Sequence, residues 1–200
     1  MKFQKILSYV TLVIAALTLV LALSFCFGVM YDAQKYVSFK GANSINADAL
    51  VNYSQKANDV LVIMAIVCIL TAAFLFITAT NKRRNYYVTN YVAIGILVVY
   101  ALAFAIVMII ICVNCSNLAD QINYVKWKEL YEQTETSGAG TYFKNPRFYS
   151  ESKATIILGI VLAVVLVIEI VAWVLNLVWK IKLMQGEKKL LAQDVHTEVA

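Results

Sequence analysis

Proline occurs once in the 200 residues, at Pro146, and histidine once, at His196. That histidine sits near the C-terminal end, in a tail expected to be frayed, so no histidine-based metal site or Ser-His-Asp triad is expected within the chain. Glycine is sparse, and none of the glycines builds a P-loop or a dinucleotide fingerprint; Gly138 and Gly140 lie in a loop that follows no strand. Charge is scarce too: 14% of residues are charged while 62% are hydrophobic, against roughly 45–50% in soluble domains. With a mean hydropathy of +0.74, this composition predicts a membrane protein.

What the chain does have is long apolar runs. A helix of about 20 apolar residues spans the ~30 Å hydrocarbon layer, and four such stretches are present, at about 6–30, 59–80, 89–114 and 154–179. Backbone groups in lipid must be satisfied within the segment, so these runs are expected to be helices. The predicted fold is an all-α integral membrane protein, a four-transmembrane-helix antiparallel bundle occupying residues 1–186. The first run follows Lys2 and Lys5 as a signal peptide would. It is about twice as long as the ~7–15 residue core of a signal, however, and is expected to remain as an uncleaved helix.

Basic residues set the expected orientation. Lys2 and Lys5, then Lys82, Arg83 and Arg84, then Lys180, Lys182, Lys188 and Lys189 share one side of the arrangement. That side is predicted to be cytoplasmic, with both termini inside and the protein in the plasma membrane. The net charge of +5 is this positive-inside signature, supplemented by attraction to anionic lipid heads, and not a nucleic-acid patch. The outer loops are 31–58 and 115–153. In the first, Asn58 and Asp59 are candidate caps for the second helix.

From Ile96 to Ser137 neither Gly nor Pro occurs, so the third helix is expected to continue beyond the membrane until TSGAG, residues 136–140. Tyr142, Phe143, Phe148 and Tyr149 follow as an aromatic patch for headgroups or a protein contact, with Ser150 or Ser152 capping the last helix. Tyr86, Tyr87 and Tyr91 match an interfacial aromatic belt. Past Gly186 the tail, 187–200, reads as frayed, as free termini usually are.

Four cysteines are present, Cys26, Cys68, Cys112 and Cys115. Cys68 is mid-span and reads as packing. Cys112-Val-Asn-Cys115 is a C-x-x-C near the outer end of the third span, with Cys26 at a similar depth. Packing, a disulfide to Cys26, and thiol redox chemistry are the three readings, packing being favoured. In helix count the chain resembles the four-helix membrane enzymes that pass electrons from a dithiol to a quinone, but their second, outer-loop cysteine pair is missing. A reactive C-x-x-C also favours a helix N-terminus, where the dipole stabilises thiolate, and this one lies at the opposite end. The cysteine-rich outer-loop patterns of tetraspanins and claudins are absent as well.

VLVIEIVAW, residues 165–173, places Glu169 inside an otherwise apolar run. At helical spacing Gly159, Leu162, Leu166, Glu169, Trp173, Asn176 and Lys180 share one face. Small and polar residues mark helix contact surfaces in lipid, so this face is expected to point into the bundle or toward a partner. A carboxylate at membrane depth is costly, and no Lys or Arg within a span pairs with it. Glu169 is therefore expected to be neutral and to donate a hydrogen bond. By depth its partners are Thr18, Thr71 and, above all, Tyr100. Asn176 belongs to the same polar set.

These features favour a non-enzymatic protein working through association, as an accessory subunit, scaffold or sensor, with another membrane protein or with itself. A small transporter or channel subunit using Glu169 is the alternative; against it, no second ionisable group is evident at membrane depth and no Gly/Pro break interrupts the spans. A thiol redox enzyme using Cys112 and Cys115 is the second alternative. No cofactor or metal is implied.

Overall fold

The computed structural model describes residues 2–24, 46–81, 87–136 and 148–198, all helical apart from short turns. The helices are α1 (Lys2–Ser24), α2 (Asp48–Thr80), α3 (Val88–Ala119), α4 (Tyr124–Thr136) and α5 (Phe148–Glu198). Four of them, α1, α2, α3 and α5, are long and apolar enough to cross a membrane.

On α2 the buried and exposed faces differ in side-chain size. On α2, Ala65, Ala72 and Ala79 recur every seven residues and are buried, while Ile63, Leu70 and Ile77, also seven apart, are well over half exposed. Small residues inside let backbones approach, and large aliphatic residues outside suit hydrocarbon. A helix apolar all round is either deep in a core or in a membrane.

Turn chemistry fixes several ends differently from the sequence expectation. Asn58 and Asp59 do not cap α2, which begins at Asp48. Asn46 takes the left-handed conformation (φ 57°), which asparagine tolerates, and the Ala47 carbonyl accepts from Val51 N–H at 3.0 Å. The third helix does not run on to residue 136. It stops at Ala119, where Gln121 and Ile122 N–H groups bond back to Leu118 and Ala119 carbonyls in a tightened turn. The Tyr124 hydroxyl donates to the Ala119 carbonyl at 3.0 Å, and the Asn123 side chain accepts from Lys126 N–H at 3.1 Å to cap α4. The chain breaks the helix with one Asn and one Tyr, without Gly or Pro. At the C-terminus α5 passes Gly186 and extends to Glu198. Space at Gly186 is open, so the glycine marks no close approach there.

Contacts divide the chain into two units: Met1–Ala15, Ile66–Ala105 and Val165–Ala200 form the first, Ala16–Ala65 and Ile106–Val164 the second. The core of the first holds Leu75, Ile94, Leu97, Phe104, Leu166 and Trp173. The second is built on Leu50, Leu61, Met108, Ile111, Ile122 and Trp127, with α4 wholly inside it. Tyr87 is exposed, but Tyr91, expected in the interfacial belt, is buried. Tyr86, Cys26, residues 82–85 and 137–147 lie outside the described residues, as do the side chains of 148–152 and of His196.

Candidate functional site: a buried polar column in the first unit

On α1 the buried positions include Gln4, Ser8 and Thr11, spaced four and three apart so that they share one stripe. Ser8 and Thr11 each donate to the carbonyl four residues back, Gln4 at 2.9 Å and Leu7 at 3.0 Å, which lets a hydroxyl sit in an apolar helix without an orphaned proton. On α5 the whole predicted face, from Gly159 through Leu162, Leu166, Glu169, Trp173 and Asn176 to Lys180, is buried.

Two clusters follow. In the first, Thr11 Oγ1 lies 2.5 Å from Glu169 Oε1 and accepts from Trp173 Nε1 at 3.1 Å. A hydroxyl has one proton and two lone pairs. Thr11 meets the Leu7 carbonyl, the Trp173 indole and the Glu169 carboxyl at once. The partner is thus Thr11, and not Tyr100, Thr18 or Thr71 as depth alone suggests. Thr71 donates to its own helix at the Val67 carbonyl, 2.9 Å, and Thr18 is buried in the second unit. Counting from span ends gave the level to within two turns; which threonine meets the acid depends on helix rotation and offset, which the count does not contain. Cys68 of α2 lies within electrostatic reach of Glu169.

The second cluster takes one polar side chain from each of the four long helices. Gln4 of α1 donates through Nε2 to the Leu75 carbonyl at 2.9 Å and to Thr78 Oγ1 of α2 at 3.2 Å. Asn90 of α3 accepts from Thr78 at 2.9 Å and from Gln4 at 3.3 Å. Lys180 of α5 donates to Gln4 Oε1. Spacing alone does not single out Gln4, Thr11, Thr78 or Asn90; the signal for two of them was the run of polar residues at 4, 8 and 11 on the first helix. Lys180, read from sequence as part of the positive-inside cluster, is buried.

Two atoms in the column lack partners. Glu169 Oε2 and Asn176 Nδ2 are buried with no hydrogen bond, in side chains only 5% and 2% exposed. Each such orphan costs about 1–3 kcal/mol. One is an acceptor and the other a donor, both on the same face of α5.

The cysteines belong to the second unit, Cys68 excepted. Cys68, Cys112 and Cys115 are buried free thiols. A Cβ added to Gly159 would stand 2.6 Å from Cys112 Sγ, so the glycine exists there to let α5 approach that sulfur. Beside them lies a cavity of about 30 Å³ lined by Leu21, Ser54, Asn58, Leu61, Cys112 and Cys115 among others. The disulfide considered from the sequence involves Cys26, outside the described residues. Among the described residues no three His, Cys, Asp or Glu side chains gather as metal ligands.

Comparison with family models, with curated proteins and with solved structures finds no match for this chain.

Proposed function

We propose that this is an integral membrane protein of the plasma membrane, a four-helix antiparallel bundle with both termini cytoplasmic, that works by association as an accessory subunit, scaffold or sensor. The basic segments at 2–5, 82–84 and 180–189 support the orientation. The bilayer is its first partner, and the second is a transmembrane helix of another membrane protein.

One face of α3 carries this reading. Val92, Gly95, Ile96, Val99, Tyr100 and Ala103 line an open apolar groove of about 490 Å³. Among the described residues nothing stands within 4 Å of a Cβ built at Gly95, so none of them requires the glycine. Tyr100, half-buried near mid-span, lines this groove, and no described residue hydrogen-bonds to its hydroxyl. A glycine in a spanning helix permits close approach of a second backbone, and a hydroxyl facing hydrocarbon gains by an interhelical hydrogen bond. The Glu169 face, in contrast, is occupied within the chain.

Photo-cross-linking in native membranes tests the assignment. A cross-linker at Val99 is expected to capture one stoichiometric membrane partner, whereas one at Leu70 on the exposed face of α2 captures none. Gly95→Leu, which fills the groove, should abolish the capture while leaving the purified chain folded. Equal capture from both positions, none from either, or capture unaffected by Gly95→Leu would overturn it. A product that is a dimer of this chain would replace the second partner by a second copy.

A further inference from the structure

The sequence argues against proton chemistry at Glu169 because no second ionisable group is evident at its depth. The fold alters that premise. Along one buried face of α5 stand Glu169, Trp173, Asn176 and Lys180, and opposite them on α1 stand Thr11, Ser8 and Gln4. Polar groups therefore continue from the acid to Lys180, the last buried residue of that face, close to where α5 becomes exposed. The break in the line lies between the two orphans, Glu169 Oε2 and Asn176 Nδ2.

We propose that Glu169 is an internal proton-binding site that exchanges with solvent from the Lys180 end, through water held between its Oε2 and the Nδ2 of Asn176. Seven residues of helix separate the two by ~10.5 Å along the axis. About three waters, at hydrogen-bonding steps of ~2.8 Å, close that gap. Buried water characteristically occupies places where buried polar atoms are left without partners, and here it finds an acceptor at one end and a donor at the other.

The chemistry is exchange. The carboxyl proton leaves to a water as a solvent proton arrives, with no bond broken other than O–H and no net charge left in the site. Thr11 holds the acid on Oε1, Trp173 Nε1 fixes the Thr11 hydroxyl, and Oε2 stays open toward Asn176. Around the carboxyl, α1 presents Thr11, α2 presents Cys68, and α5 itself presents Trp173 and, farther along, Lys180. The ligand class is thus water and its proton, and the inference does not depend on the association reading.

Infrared spectroscopy of the full chain in lipid nanodiscs tests it. The carboxylic C=O band at neutral pH, assigned by its disappearance in Glu169→Gln, is expected to shift within minutes of transfer to D₂O. Asn176→Leu should slow that shift by about tenfold or more, as expected when one hydrogen-bonded step is lost, and Asn176→Ser should keep it fast. Helix content and thermal midpoint identify any variant that has not folded, and Lys180→Met, at the exposed end of the path, then serves as the second slowing variant. No acid band at neutral pH, a band that does not exchange in the unaltered protein, or exchange indifferent to both Asn176→Leu and Lys180→Met would overturn the proposal.

Discussion

Thr11 gives Glu169 its place. One hydroxyl accepts from Trp173 Nε1 and lies within hydrogen-bond distance of both the Leu7 carbonyl and the acid. Thr11→Val keeps the shape and removes all three bonds. It is expected to destabilise the chain by about 1–3 kcal/mol, since the buried acid and indole lose their partner, and to move the Glu169 C=O stretch to higher wavenumber. Thermal unfolding and infrared spectra of the variant check both. At Gly159 the constraint is space: with Cys112 Sγ 2.6 Å from the added methyl, Gly159→Ala is expected to cost about 1–3 kcal/mol. Adding Cys112→Ala should recover most of that loss, and a double-mutant cycle by thermal unfolding measures it. If Gly159→Ala proves neutral, close approach at this sulfur is not what the glycine provides.

At the scale of elements, the helices were legible because apolar runs of this length have few alternatives. The buried face of α5 was legible too, because one Gly, one acid and one Asn fall in phase. Ends and partners were less so. The α3–α4 break rests on a side-chain cap and a tyrosine hydroxyl, not on a breaker residue, so Gly/Pro counting passes over it. Asn123→Ala should accordingly cost about 0.5–2 kcal/mol and raise amide exchange through α4 more than in α3, which hydrogen-exchange mass spectrometry resolves. The exposed Lys128–Glu132 pair, at 3.9 Å, contributes little to the same helix. The acid's partner on α1 was illegible for a different reason. Depth counting fixes position along the axis, but helix rotation chooses among Thr11, Thr18 and Tyr100.

For the whole molecule, composition predicts a membrane protein, four helices are long and apolar enough to cross one, and the size-sorted faces of α2 fit lipid outside and small residues inside. The orientation we propose makes a simple statement about access. In intact cells, a membrane-impermeant maleimide should label a cysteine placed at Lys128 and leave one placed at Lys189 unlabelled until the membrane is opened. The opposite pattern reverses the topology. The polar column explains why such a chain holds together without a hydrophobic drive between its helices: Gln4, Thr78, Asn90 and Lys180 supply one group from each long helix to one buried cluster. Such bonds in lipid are worth roughly 0.6–2 kcal/mol apiece, enough to select one register among many apolar alternatives.

The most direct measurement of that claim is the coupling between Gln4 and Asn90, taken from reversible unfolding in bilayers of Gln4→Leu, Asn90→Leu and the double variant. If the cluster fastens the helices within one chain, each single change destabilises, the double is markedly less costly than their sum, and neither effect depends on protein concentration. Single changes that leave stability unaltered, or costs that simply add, would contradict it.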